Sequence, residues 1–160
     1  MNGNQIDVVT MRLGKEMLAV AASNLHEILE PVPVTRVPNA GSFVSGLINV
    51  RGAVVPLADL RAIFGMEAEE TTHDTRMVVL DVELEGGATT VAILADKVLD
   101  VSALDLESVD AAPPVGSRWP TEIVRGIGQR DGEFVILPDL PAIFKSHCAR
   151  SAEPRKDIHR

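Results

Sequence analysis

The chain has no tyrosine, one tryptophan and four phenylalanines among its 160 residues. Base-stacking platforms for single-stranded nucleic acid need such rings, so their scarcity argues against that class of partner. The formal net charge of −8 points the same way, because a phosphate-rich ligand calls for excess Lys and Arg. A single cysteine, Cys148, excludes an internal disulfide and suits a reducing compartment. Met1 to Asp7 carries neither a basic start nor an apolar run, so no secretory signal is expected. No stretch approaches the roughly 18 apolar residues of a membrane-spanning helix. Together these absences read as a cytoplasmic protein. Catalytic signatures are missing too: no Gly-rich phosphate loop ending in Lys-Ser/Thr, no His-Glu-x-x-His, no Gly-x-Ser-x-Gly. His26, His73, His147 and His159 lie far apart and share no ligand spacing with Cys148, so neither a metal nor another cofactor is expected. The sequence argues for no enzyme.

What the chain does have is aliphatic bulk and repetition. Apolar residues make up 46% of it, and with so few rings the core must be Val, Leu and Ile. Its length suits one domain, or two closely joined half-domains. The segment from Gly46 to Phe64 aligns without a gap on Gly126 to Phe144, eighty residues later. Nine of the nineteen positions are identical: Gly46/Gly126, Gly52/Gly132, Val55/Val135, Leu57/Leu137, Asp59/Asp139, Leu60/Leu140, Ala62/Ala142, Ile63/Ile143 and Phe64/Phe144. Chance would give roughly one or two. A second echo runs at an offset of seventy-three: Leu18-x-Val20 with Leu25-x-Glu27-Ile28, and Val91-x-Ile93 with Val98-x-Asp100-Val101. Two copies mean a duplicated module, and the seam between the copies is the first place to look for function.

Period-two patterning and β-branched residues predict strands at 6–12, 17–21, 46–50, 54–57, 77–84, 89–94, 124–129 and 133–137, with turns at Gly14-Lys15, Arg51-Gly52, Glu85 to Gly87 and Asp131-Gly132. Ser23 is placed to cap a short helical turn carrying Leu25 and Ile28, which Pro31 stops. Residues 30–42 read as extended linker, 66–75 as an acidic loop, 111–120 as a Pro-rich loop holding Trp119, and 149–160 as a polar tail. Asp59 and Asp139 precede the same Leu-x-x-Ile-Phe, which makes them helix caps repeated by duplication rather than a catalytic pair. The expected fold is all-β: two small five-stranded barrels side by side, with short helical turns. The first takes about 15–75 plus the chain ends, and the second about 76–145. Arg51 stands out because its counterpart is Asp131. The turn does not need arginine for its shape, so Arg51 is either a solvated turn residue or an interaction residue near the seam.

Val34-Thr-Arg-Val-Pro38, then Phe43-Val-x-Gly46-Leu-Ile-Asn-Val-Arg-Gly-Ala-Val-Val-Pro-Leu-Ala-Asp-Leu60 and Phe64-Gly65, closely resemble the CheW-like family of bacterial chemotaxis coupling proteins. The match runs on through Val91–Val101 to the closing hairpin and covers about residues 6–146, within a single domain of 1–148. Val50 replaces the family's usual Leu, and the prolines of Glu30-Pro-Val-Pro33 depart from its pattern. The resemblance implies two SH3-like barrels and no catalysis. It implies a protein that links the cytoplasmic tip of a methyl-accepting chemoreceptor to the regulatory domain of the CheA histidine kinase, recruited to membrane-associated receptor arrays. In the family the receptor tip lies in an apolar groove between the barrels, a helix-in-groove contact. The receptor-binding positions implied here are Leu25, Glu27, Ile28, Gly46 and Arg51, with Glu27 and Arg51 a polar rim or a mutual pair. The kinase-binding residues are left open.

Overall fold

The computed structural model describes residues 5–38, 44–67, 70–84, 86–105, 121–130 and 132–145. The loop 111–120, His147, Cys148, Asp131 and the tail 149–160 lie outside them. Among the described residues ten strands run in chain order: β1 Gln5–Leu13, β2 Glu16–Ala21, β3 Leu25–Leu29, β4 Val44–Val50, β5 Ala53–Ala58, β6 Arg76–Leu84, β7 Gly87–Ala95, β8 Lys97–Asp105, β9 Val124–Arg130 and β10 Glu133–Pro138. Helix α1 spans Leu60–Phe64, and its repeat α2 covers residues 140–145. Asp59 Oδ1 accepts the Arg61 amide at 3.0 Å, and Asp139 Oδ1 accepts the Ala142 amide at 3.1 Å, so both aspartates are the caps expected of them.

The strands form two five-stranded sheets, one in the order β8-β1-β2-β10-β9 and the other β3-β6-β7-β5-β4. We call them sheet A and sheet B. Apart from one parallel contact in each, β2 with β10 and β5 with β7, neighbours run antiparallel. The sheets divide the chain differently from the expected 15–75 plus the chain ends and 76–145. Sheet B is a continuous stretch, 25–95, whereas sheet A is built from both ends of the chain, 5–21 and 97–138. The duplication explains why. Each sheet takes one hairpin, β1–β2 or β6–β7, from one copy and its remaining three strands from the other, so the copies are interleaved.

Alternation along the strands sends one set of side chains inside each sheet and the other set to the seam. Sheet B encloses Ile48, Val50, Val55, Leu57, Met77, Val79 and Ala92, while sheet A encloses Val8, Met17, Ala19, Leu104, Val135 and Leu137. The alternate residues Val9, Met11, Leu13, Leu18 and Val20 of sheet A meet Val78, Leu80, Val82, Val91 and Ile93 of sheet B in the largest core. Leu60 and Phe64 of α1 join it, as do Leu140, Ile143 and Phe144 of α2. The identical helix residues Leu60/Leu140 and Phe64/Phe144 of the repeat thus pack on both sides of one seam.

Strands β3 and β8 run where no strand is expected from sequence. The helical turn expected at Leu25 to Ile28 is a 3-10 turn at Ala22–Asn24 followed by β3. Backbone pairing with β6 outweighs the local helix signal. Both strands carry an irregularity, between Leu25 and Glu27 in β3 and opposite Thr10/Met11 in β8, and these breaks spoil the period-two pattern that marks a strand.

Candidate functional site

The irregularity in β3 decides what that strand presents. Leu25 pairs with Leu80 and Ile28 with Val78, both seam-facing positions of β6. Directly paired residues point to the same side of a sheet, so Leu25 and Ile28 share the seam face although they are three apart. The extra residue does what one helical turn would have done. Leu25 is half-buried against the seam core, and Ile28, at the rim, keeps 38% of its surface exposed. Glu27, opposite Val79, turns the other way.

There Glu27 meets Arg51. The Arg51 guanidinium donates from Nε to Glu27 Oε1 at 3.0 Å and from Nη2 to Oε2 at 3.3 Å. The pair joins the β4–β5 turn to β3, drawing together the two outermost strands of sheet B. This hydrogen bond, with the carboxylate's charge behind it, raises the already high Arg51 pKa. Arg51 itself has φ 52, the left-handed region that favours Gly or Asn, and Gly52 follows at φ 87. Asn49 Oδ1 accepts the Gly52 amide at 2.9 Å and steadies the turn.

Gly46 is buried and offers no surface. A Cβ there would lie 2.4 Å from the Thr35 carbonyl oxygen and 2.7 Å from a Val34 methyl. Thr35 and Leu47 exchange two backbone hydrogen bonds of 2.8 Å, which seat the linker after β3 on the free edge of β4. Of the five residues, Leu25 and Ile28 form an apolar step on the seam face of β3, while Glu27 and Arg51 form a clasp on its other face. Gly46 lies under the Thr35 linker instead.

Sheet A carries a second clasp that the gap-free alignment conceals. Arg130 on β9 donates to Asp100 on β8 through both Nη atoms, at 2.8 and 2.7 Å, and to the Thr10 hydroxyl at 3.0 Å. Asp100 is the counterpart of Glu27 at the offset of seventy-three. The arginine, though, stands one position before the counterpart of Arg51. Hydrogen bonds from Arg130 and then Thr10 hold the Asp100 carboxyl below its ordinary 3.8. Next to it, Arg12 grips Glu133 with both Nη atoms and lowers that carboxyl below 4.5. The echo also pairs Ile28 with Val101, which is 58% exposed on β8. Among the described residues no three His, Cys, Asp or Glu side chains gather as metal ligands. His26 pairs with Asp81 at 3.3 Å instead.

A model of the CheW-like domain family matches residues 7–148, nearly the whole of the fold just described. The chain belongs to the CheW-like family. It is 31% identical to the chemotaxis protein CheW of Klebsiella aerogenes, over 84% of this chain and 78% of that protein. It is 30% identical to the chemotaxis protein CheW of Rhizobium meliloti, over 94% of both. Among solved structures it resembles the scaffolding protein TtCheW from Thermoanaerobacter tengcongensis, with a TM-score of 0.79, 27% identity, and coverage of 89% of this chain and 90% of that one. CheW-like proteins are chemotaxis scaffolds and adaptors, and this chain shares their sequence and their fold. Among the described residues no helix is long and apolar enough to cross a membrane.

Proposed function

We propose that this CheW-like chain is a non-catalytic coupling protein that bridges the helical cytoplasmic tip of a chemoreceptor to the regulatory domain of a CheA-type histidine kinase, at membrane-associated receptor arrays. The observation that carries the reading is the apolar step formed by Leu25 and Ile28 on the seam face of β3, the strand that the Glu27–Arg51 clasp holds from its other face. An amphipathic helix offers apolar side chains at i, i+3 and i+4, and the two apolar residues on the seam rim fit that spacing. The clasp ties β3 to the β4–β5 turn and so fixes where the step is presented to the incoming helix.

Arg51 supports the reading from another side. A non-glycine residue in the left-handed region is disfavoured, and Gly or Asn would make the same turn with less strain. An arginine kept there, 78% exposed and paired with Glu27, is better explained by what it meets than by the turn.

Receptor-coupled autophosphorylation of the kinase, with and without the protein, tests the proposal. Ile28→Asp places a charge where the receptor helix would exclude water. The variant should fold, with a midpoint a few degrees lower, and lose both receptor capture and receptor control of the kinase. Normal coupling by a folded Ile28→Asp protein would refute the assignment of this groove.

A further inference from the structure

The chain passes between the sheets directly at one residue, Asp96, which separates β7 of sheet B from β8 of sheet A. Asp96 is held from both sides. Its amide donates to the Arg12 carbonyl on β1 at 2.9 Å, and its Oδ2 accepts the amide of Gly14, in the β1–β2 turn, at 2.6 Å. Its Oδ1 faces Arg61 Nη1 at 3.5 Å. Arg61 belongs to α1, the helix that follows the β5 strand of sheet B, and its side chain is only 6% exposed. The guanidinium is fixed at its other edge by Asp59, from Nε at 2.9 Å and Nη2 at 3.0 Å.

We infer that Arg61 is a positioning residue: a buried strut between α1 and the Asp96 crossover that sets how the two sheets sit across the seam, and with it the shape of the groove. Three observations meet here. The guanidinium is buried between two carboxylates, an arrangement whose planar fork lysine cannot reproduce. Asp96 in turn grips the first hairpin of sheet A, so the chain Asp59–Arg61–Asp96–Gly14 runs from one sheet to the other. The strut is also one-sided, because the repeat places Pro141 where Arg61 stands and proline has no side chain to reach across. The seam is otherwise apolar on both sides and non-directional, so it supplies cohesion but little to fix an angle.

For docking, this inference rests on the coupling function proposed above, so its test has a readout of its own. Residual dipolar couplings measured separately for sheet A and sheet B report their relative orientation in the free protein. Asp96→Asn keeps an oxygen for the Gly14 amide and leaves Asp59–Arg61 intact while removing the charge that faces Arg61. Arg61→Lys keeps the charge and loses the fork. Both should remain folded with each sheet internally unchanged, but with the angle between the sheets altered or averaged. Affinity for a receptor-tip helical hairpin should fall about three- to thirty-fold, the range usual for coupling through a packed network. Wild-type orientation of the sheets in both variants would overturn the strut. A changed orientation in a protein whose wild type does not bind the hairpin would leave the strut standing and sink the coupling function instead.

Discussion

Single residues here divide into those that hold the site up and those that face outward from it, and sequence identity alone does not separate them. Gly46 and Arg51 sit in the same family-like run, yet Gly46 is buried under the Thr35 carbonyl while Arg51 lies mostly in solvent. Gly46→Ala should therefore cost about 2 kcal/mol or more, because the obstacle is backbone rather than a side chain that can rotate away. Urea unfolding would measure it, and an unchanged midpoint would mean that the 30–38 linker moves freely off β4. Arg51→Ala should shift the thermal midpoint by less than about 2 °C, as exposed substitutions do. Arg51→Gly should hold or raise it, since glycine relieves the positive φ. Both variants should lose receptor coupling if the proposed function is right. A large drop in midpoint for Arg51→Ala would make the arginine a structural clasp before anything else.

The elements show where sequence reading succeeds and where it stops. The hairpin strands were legible because alternation and turn residues agree, and α1 and α2 because a cap, an apolar pair and a glycine or its counterpart recur in register. Strands β3 and β8 were not legible, since an inserted residue breaks the alternation that would reveal them. For the same reason the sequence spacing puts Leu25 and Ile28 together on a helical turn, whereas a bulged strand is what joins them. Arg130 was hidden because a clasp can move by one residue across a turn without changing its chemistry. The second clasp has a consequence in acid. Asp100 and Glu133 have folded pKa values below their ordinary 3.8 and 4.5. A carboxyl depressed in the folded state contributes stability at pH above its unfolded value, and that contribution fades as pH falls through that value toward the folded one. Stability should thus decline from about pH 5 downward, and Asp100→Asn combined with Glu133→Gln should flatten the decline while lowering stability at neutral pH. Equal acid slopes for the two proteins, followed by chemical denaturation at each pH, would show that other carboxylates govern acid unfolding.

At the scale of the whole molecule, the duplicated sequence announced two similar units, but not which strands would share a sheet. Period and spacing report local structure, whereas the choice between pairing within a copy and pairing across copies depends on contacts far apart in sequence. The observed choice is the interleaved one: residues 1–70 supply two strands to sheet A and three to sheet B, and residues 71–160 supply the reverse. Neither half can complete a sheet, and each leaves half of the seam core uncovered. Val9, Met11 and Leu18 come from the first half and need Val78, Leu80 and Ile93 of the second. Chains cut after Glu70 should accordingly be largely unstructured when made singly. Mixed in equal amounts they should recover the strand signal in circular dichroism and elute as a one-to-one complex. Folding would then show a concentration dependence that the intact chain lacks, because association replaces an intramolecular step. A stable folded monomer from either half would mean that each copy can close a sheet on its own. The interleaving would then be a late rearrangement of two self-sufficient modules rather than the source of their stability.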